Sequence, residues 1–328
     1  FLKEPFAKVF VNDENHMNRT SRIHHFFLFY CFFMFPSTSA GSLVGSAPCV
    51  GVLYEEVDHV AYITLNRPEV HNAQNSQMLY ALDDAFNQAV DEDSVKCIVL
   101  RSGGKHFSQG HDIGTPGRDF EKPAERRLMW YDHTNKPGAE KAYAREQEIY
   151  LGMCKRWRQI PKPTICQVHR GCIAGGLMLA WICDLIVASD DAFFQDPVLT
   201  MGFPGVEYFA HVHELNVRLA KEFLFLGDRM TAQRAYEIGM INRVVPRDQL
   251  EEEVTAIASR IAQQPRLGLQ LTKQACNHIE DLQGKSTGID AVFGMHHFAH
   301  AQNSLVKGDY IAGHDLKSMA QSNKENRS

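Results

Sequence analysis

No two of the eight cysteines form a CxxC pair, and their positions (31, 49, 97, 154, 166, 172, 183 and 276) follow no regular spacing. A disulfide framework is therefore not expected; the thiols read as reduced, in a cytosol-like compartment. Nor is there a basic stripe. The net charge is -5 and both signs are mixed along the chain, which argues against a nucleic-acid surface. The apolar run within RTSRIHHFFLFYCFFMFPSTSA, from Arg19 to Ala40, is about ten residues long and too short to cross a bilayer, so no stable membrane association is expected. A nucleotide-phosphate loop is missing too. The segment GCIAGG, from Gly171 to Gly176, lacks a following Lys-Ser/Thr, and its glycine spacing is not the dinucleotide fingerprint.

What is present fits an ordinary globular chain of 328 residues, 44% hydrophobic and 22% charged, enough for one large core or a core with a small satellite. Residues 1–50 differ abruptly in composition. From Met17 they carry two arginines, the apolar run and a small-residue end, the outline of a secretory signal. They are read as an extension outside the fold, a leader or a disordered segment. The remainder divides into a core over residues 51–246 and a helical C-terminal region over 247–328.

VLYEEV and HVAYITL alternate around Asp58-His59, which predicts a hairpin. Met78, Leu79, Leu82, Phe86 and Val90 fall on one face of a helix over 76–91. CIVLRS (97–102), TICQVHRG (164–171) and DLIVAS (184–189) read as buried strands, each with a turn and a helix near it. That order implies a mostly parallel sheet layered with helices. Residues 114–140, polar and rich in Pro and Gly, read as a mobile segment. A helix running to about Gln159 precedes Pro161, and helical text resumes after Phe225, with amphipathic stretches at 248–264, 266–281 and 287–302.

KHFSQGHDIG (105–114) crowds two histidines and an aspartate around two glycines. A metal site, a proton-transfer site and a loop needed only for its backbone all fit that text. It follows CIVLRS as GCIAGG follows TICQVH, and N–H groups in such turns have no internal partner, so they can hold an oxyanion. Gly110 and Gly175 let a ligand approach the backbone. Cys172, Trp157 and Trp181 read as core. HVHE (211–214) and HHFAH (296–300) show no matching third ligand, so no metal is expected.

With these motifs in hand, the chain resembles the crotonase (enoyl-CoA hydratase/isomerase) superfamily. The resemblance runs from residue 52 to about 282. It rests on ITLNRPEVHNAQN, KHFSQGHDI, PKPTICQVHRGCIAGGLMLAWICDLIVAS, MGFPG and MTAQRAYEIGMINRVVP in that order. It implies an α/β, crotonase-like spiral of ββα units with a helical C-terminal trimerisation region, assembled as a homotrimer or a hexamer. It implies an acyl-CoA thioester as substrate, no cofactor beyond that coenzyme A, no nucleic acid, and a cytoplasmic or organellar site of action. It also implies a thioester oxygen held by the peptide N–H groups of His111 and Gly175. Substrate contacts carry over to Asn72 and Ala73, to Gly110, Asp112, Ile113 and Gly114, and to Gly176.

Two departures stand out. The two glutamates with which hydratases of this family activate water correspond to Met178 and Val198, and neither side chain can move a proton. Glu207, just after the PG turn, is the replacement candidate, because family isomerases and dehalogenases place a carboxylate in this neighbourhood. Facing an apolar pocket, it is expected to have a raised pKa. The alternative is an ordinary glutamate at a helix N-terminus. Asp196 and His211 are further candidates, Asp196 as a residue orienting a histidine, although an extended chain would point it away from Val198. The FSQGHDI text is also similar to the methylmalonyl-CoA decarboxylase branch, which gives the His111 imidazole a chemical role of its own. Isomerase, decarboxylase, hydrolase and altered hydration chemistry all stay open. So does a binding protein that kept the acyl-CoA pocket and lost catalysis.

Overall fold

Asp58 and His59 both take left-handed backbone, with φ of 49° and 68°, the pairing that a two-residue hairpin turn requires. They join β1 (Val52–Val57) to β2 (Val60–Leu65) in antiparallel register, Val57 opposite Val60. The computed structural model describes residues 51–113, 119, 122, 125–130 and 136–311. The extension over 1–50, most of the segment expected to be mobile, and Gly114 lie outside the described residues.

Helix α1 (Ser76–Asp91) starts where Asn75 accepts a hydrogen bond from the Met78 N–H and buries Met78, Leu82 and Phe86, a side-chain cap worth about 1 kcal/mol. β3 (Cys97–Ser102) follows. Helices α2 (Gly138–Glu146) and α3 (Met153–Arg158) are joined without a break by a π-helical turn over Gln147–Gly152, a wide turn that often marks a functional site. β4 (Thr164–Val168) then ends earlier than the apolar text suggests. Arg170 turns the chain with φ 47°, and β5 (Gly171–Ile173) starts a second sheet. The single strand expected over 164–171 is thus two strands in two sheets.

Next come α4 (Gly175–Trp181), β6 (Leu185–Ser189) and β7 (Phe193–Gln195). Helices α5 (His211–Glu214) and α6 (Val217–Leu226) follow, so helical structure resumes before Phe225. β8 (Met230–Thr231), α7 (Ala232–Glu237) and β9 (Arg243–Val245) complete the sheets, and α8 (Leu250–Ala262), α9 (Arg266–Leu282) and α10 (Lys285–Lys307) form the C-terminal helices.

The large sheet has the order β1-β2-β3-β4-β6-β9, parallel from β2 onward, and the small sheet the order β5-β7-β8. Its strands alternate faces with period two. Ala61, Ile63, Ile98, Leu100 and Cys166 enter the main core with α1 and α4. Val60, Tyr62, Cys97, Val99, Ile165 and Val187 form a second layer under Leu250, Val254, Ala258 and Ala262 of α8. Both faces are covered, as a parallel sheet requires. Ion pairs from Lys273 to Asp184 and from Lys285 to Glu214 fasten the helices behind it. Among the described residues no helix is long and apolar enough to cross a membrane.

Candidate active site

The two glycine turns meet back to back. A Cβ on Gly110, which has φ +89°, would lie 3.0 Å from both the Ala174 Cβ and the Gly175 nitrogen, so only glycine allows this approach. His111 faces Gln74 in a parallel bridge. The Gln74 N–H donates to the Gly110 carbonyl (2.7 Å) and the Asp112 N–H to the Gln74 carbonyl (2.9 Å). In such a bridge the central residue's own N–H points to the other side, here the N–H of His111. Across the gap, Ala174 has φ 48° and ψ -117°, a strained conformation costing about 1–3 kcal/mol. The first hydrogen bond of α4 runs from the Leu177 N–H to the Ala174 carbonyl (2.8 Å). The N–H groups of Gly175 and Gly176 precede it and have no partner within the helix.

The His111 side chain lies in the same gap. Its ring is so close to Gly175 that a Cβ there would stand 2.7 Å from Cε1 and 2.9 Å from Nδ1. It stacks on Tyr150 from the π-helical turn, with 3.8 Å between centroids and 21° between planes. Nε2 lies 2.9 Å from Oε2 of Glu207. Nδ1 is buried and has no hydrogen-bond partner among the described residues.

Burial pushes the imidazole toward neutrality, but the charge and hydrogen bond of Glu207 outweigh it and hold His111 above its ordinary value. Burial likewise pushes the Glu207 carboxyl up. The charge of His111 and its hydrogen bond reverse that, so the carboxyl titrates below its ordinary value. The expected rise for Glu207 is therefore overturned by the histidine beside it. Tyr150 is pushed well above the ordinary phenol range, mainly by burial.

The other candidates fall elsewhere. Asp196 and His211 are wholly buried and pair with each other at 2.8 Å. Asp196 also accepts from the N–H groups of Val198 and Val206, so it anchors the backbone next to Glu207. The chain is not extended here: Val198–Met201 is a 3-10 turn, which is why Asp196 reaches back to Val198. The Asn72 amide is committed inside the fold, donating to the carbonyls of Gly103 and His106 and accepting from the Arg67 N–H. Asp112 is ion-paired with Arg67 at 3.0 Å, and the Ala73 carbonyl accepts from the same guanidinium. Ile113 packs against the core. A Cβ on Gly176 would lie 2.7 Å from the Ser108 carbonyl oxygen. Met178 and Val198 are buried among apolar side chains. Cys172 is buried as well, and burial pushes its thiol well above the ordinary range.

Sequence reasoning missed Tyr150 and the residues behind Glu207. Oε1 of Glu207 lies 3.7 Å from Nε2 of His296 on α10. The HHFAH run was visible as a cluster, but nothing local connects it to this carboxylate.

Two peptide N–H groups flanking a half-buried, carboxylate-backed imidazole can hold a developing oxyanion and move a proton beside it. Residues 55–311 match the family model described as enoyl-CoA hydratase/isomerase. A Mycobacterium tuberculosis protein described as an enoyl-CoA hydratase, EchA13, is 40% identical over 267 residues, which is 80% of this chain and 84% of that protein. The human mitochondrial Delta(3,5)-Delta(2,4)-dienoyl-CoA isomerase is 28% identical over 222 residues, covering 66% of this chain and 64% of that protein. A crystal structure described as an enoyl-CoA hydratase of Mycobacterium smegmatis superposes with a TM-score of 0.72 at 43% identity, over 80% of this chain and 98% of that one. The fold, the paired turns and these likenesses agree: the chain belongs to the enoyl-CoA hydratase/isomerase family, with the crotonase fold.

Proposed function

We propose that the protein turns over an acyl-CoA through an enolate-like thioester, with the His111 imidazole carrying the proton at the α-carbon. The carrying observation is the placement of that ring: Nε2 on the Glu207 carboxylate at 2.9 Å, and Nδ1 unpartnered beside Gly175. A buried carboxylate behind an imidazole fixes its orientation and stabilises its charged form. On this reading Glu207 is a positioning residue and His111 the proton carrier. The N–H groups of His111 and Gly175 hold the thioester oxygen. The side chains of Asn72 and Asp112 have internal partners, so the contribution of the 72–73 and 110–114 segments to substrate binding is assigned to their backbone. Asp196 and His211 act as supports.

Methionine and valine stand at the positions of the two hydratase glutamates, which leaves water activation without its usual groups. Reactions that need one proton carrier fit better. These are double-bond migration, or protonation of the enolate left by decarboxylation, and the GHDI text supports the latter. The apolar residues exposed on α9 and α10 support assembly as a homotrimer or a pair of trimers.

The test is α-carbon exchange. The protein is incubated in D2O with a panel of enoyl-, malonyl- and β-ketoacyl-CoA thioesters, and deuterium at the α-carbon is read by mass spectrometry. Incorporation lost in His111→Gln is the expected result. A second reading, an acyl-CoA-binding protein without turnover, is favoured by Met178 and Val198. Saturable binding with neither exchange nor product from every thioester would establish it instead.

A further inference from the structure

Behind Glu207 lies a buried cluster that the proposed chemistry does not use. His296 and His300 are four apart on α10 and share a helix face; Glu146 ends α2 and faces them. All three are buried, and one ligand atom from each lies within 4.8 Å of the others. The third ligand that HHFAH lacks locally is thus supplied by a residue far upstream.

The hydrogen bonds fix both ring tautomers. Nδ1 of His296 lies 2.9 Å from the Gly205 carbonyl, and Nδ1 of His300 lies 3.0 Å from the Tyr310 carbonyl. A carbonyl only accepts, so each Nδ1 carries the hydrogen, and each neutral ring presents a bare Nε2 lone pair. Those two Nε2 atoms stand 3.0 Å apart. Two lone pairs at that distance repel unless a cation, a shared proton or a metal ion, sits with them. Two imidazole nitrogens on one tetrahedral zinc ion, at 2.0–2.1 Å each, are about 3.3 Å apart. Imidazoles that ligate a metal typically donate their other N–H to a carbonyl or carboxylate, as both do here.

The carboxylate completes the set. Glu146 Oε1 accepts from the Tyr310 hydroxyl at 2.6 Å and lies 3.5 Å from Nε2 of His300. Its Oε2 lies 3.7 Å from Nε2 of His296. The same Oε2 is 3.1 Å from Nε2 of His297, in an alignment that makes no hydrogen bond, so both atoms are buried without one.

We infer that Glu146, His296 and His300 bind a divalent transition-metal ion of the zinc class, through one carboxylate oxygen and two Nε2 atoms. The ion joins α2 to α10 and places positive charge behind the Glu207 carboxylate. This inference stands independently of the proposed reaction.

The test uses the full chain with any purification tag removed, stripped with a chelator and titrated with Zn2+ and then Co2+ alone. One equivalent of zinc per chain is expected, with visible Co2+ ligand-field absorption. His300→Gln and Glu146→Gln should weaken zinc binding by more than the roughly 10–100-fold of an outer-shell change. His278→Gln, on the exposed side of α9, should leave it unchanged. Folded wild-type protein that takes up no more zinc than His300→Gln overturns the site and leaves a proton shared between the two imidazoles as the cation. Should the variants fail to fold, X-ray absorption of the zinc-loaded wild type decides: scattering from two imidazoles supports the site, and its absence rejects it.

Discussion

The imidazole of His111 lies between Glu207 and Gly175, bonded to the carboxylate through Nε2 at 2.9 Å and presenting Nδ1 to the glycine turn. The order of these groups sets their roles. His111→Gln removes the proposed proton carrier and is expected to slow α-proton exchange by about 10²–10⁴-fold. Glu207→Gln keeps the shape and should cost less, because the imidazole remains. Exchange rates in D2O for both variants check the ranking; a larger loss in Glu207→Gln would reverse the two roles.

The same pair predicts a pH dependence. The Glu207 carboxylate holds the His111 imidazole above the ordinary histidine value of 6.5. A raised folded-state pKa means that the pair's stabilisation is fully present below the unfolded value and fades as pH rises through the folded one. Proton donation should therefore persist past the ordinary histidine range before it falls. In Glu207→Gln burial acts on His111 without that carboxylate's charge, and the alkaline limb for deuterium delivery to the enolate left by decarboxylation should move to lower pH. A limb that stays in place would show that another group titrates there.

These two residues show where legibility in the sequence stops. The hairpin at Asp58-His59, the limits of α1 and the strand CIVLRS are local patterns, and each appears in the fold as read. The break between β4 and β5 does not, because neither residue between the strands, His169 or Arg170, is a proline or a glycine. The turn is made at Arg170, which has left-handed backbone. His111 and Glu207 are 96 residues apart, and Tyr310 and Glu146 are 164 apart. Contacts of that kind leave no periodicity to read. The two glycine turns were legible because glycine at a close approach is a local requirement; the partner of the imidazole was not.

Neighbouring glycines in the second turn should fail in different ways. Alanine at 175 puts its Cβ 2.7 Å from Cε1 of His111, so the ring must swing away. The expected result is a folded protein whose kcat/KM falls about 10²–10³-fold, the scale of a displaced oxyanion donor. Alanine at 176 instead meets the Ser108 backbone oxygen at 2.7 Å, which cannot move without opening the turn. Gly176→Ala should lower the thermal midpoint markedly more than Gly175→Ala, as calorimetry on both would reveal.

Asp196 and His211 make a contrasting case. Both side chains are wholly inaccessible, and the carboxylate serves His211 and two backbone N–H groups. Removing one partner of such a pair costs about 3–5 kcal/mol. Asp196→Ala should accordingly lower the urea midpoint by that equivalent. Loss of turnover at unchanged stability would instead give Asp196 a direct part in the chemistry.

The C-terminal helices lead to the last expectation. Leu267, Leu271 and Leu282 of α9 are 64%, 53% and 71% exposed, and at 100° per residue they fall within an arc of about 60°. Met295, Phe298, Leu305 and Val306 of α10 are exposed as well and also group on one side. Exposed apolar faces of this kind call for a partner, and the proposed one is further copies of this chain. Size-exclusion chromatography with light scattering should give three or six chains per particle. Leu271→Glu should shift the particle toward the monomer, because a charge buried at an interface without a counter-charge is strongly unfavourable. A wild-type protein that runs as a monomer at high concentration would leave these faces without that role.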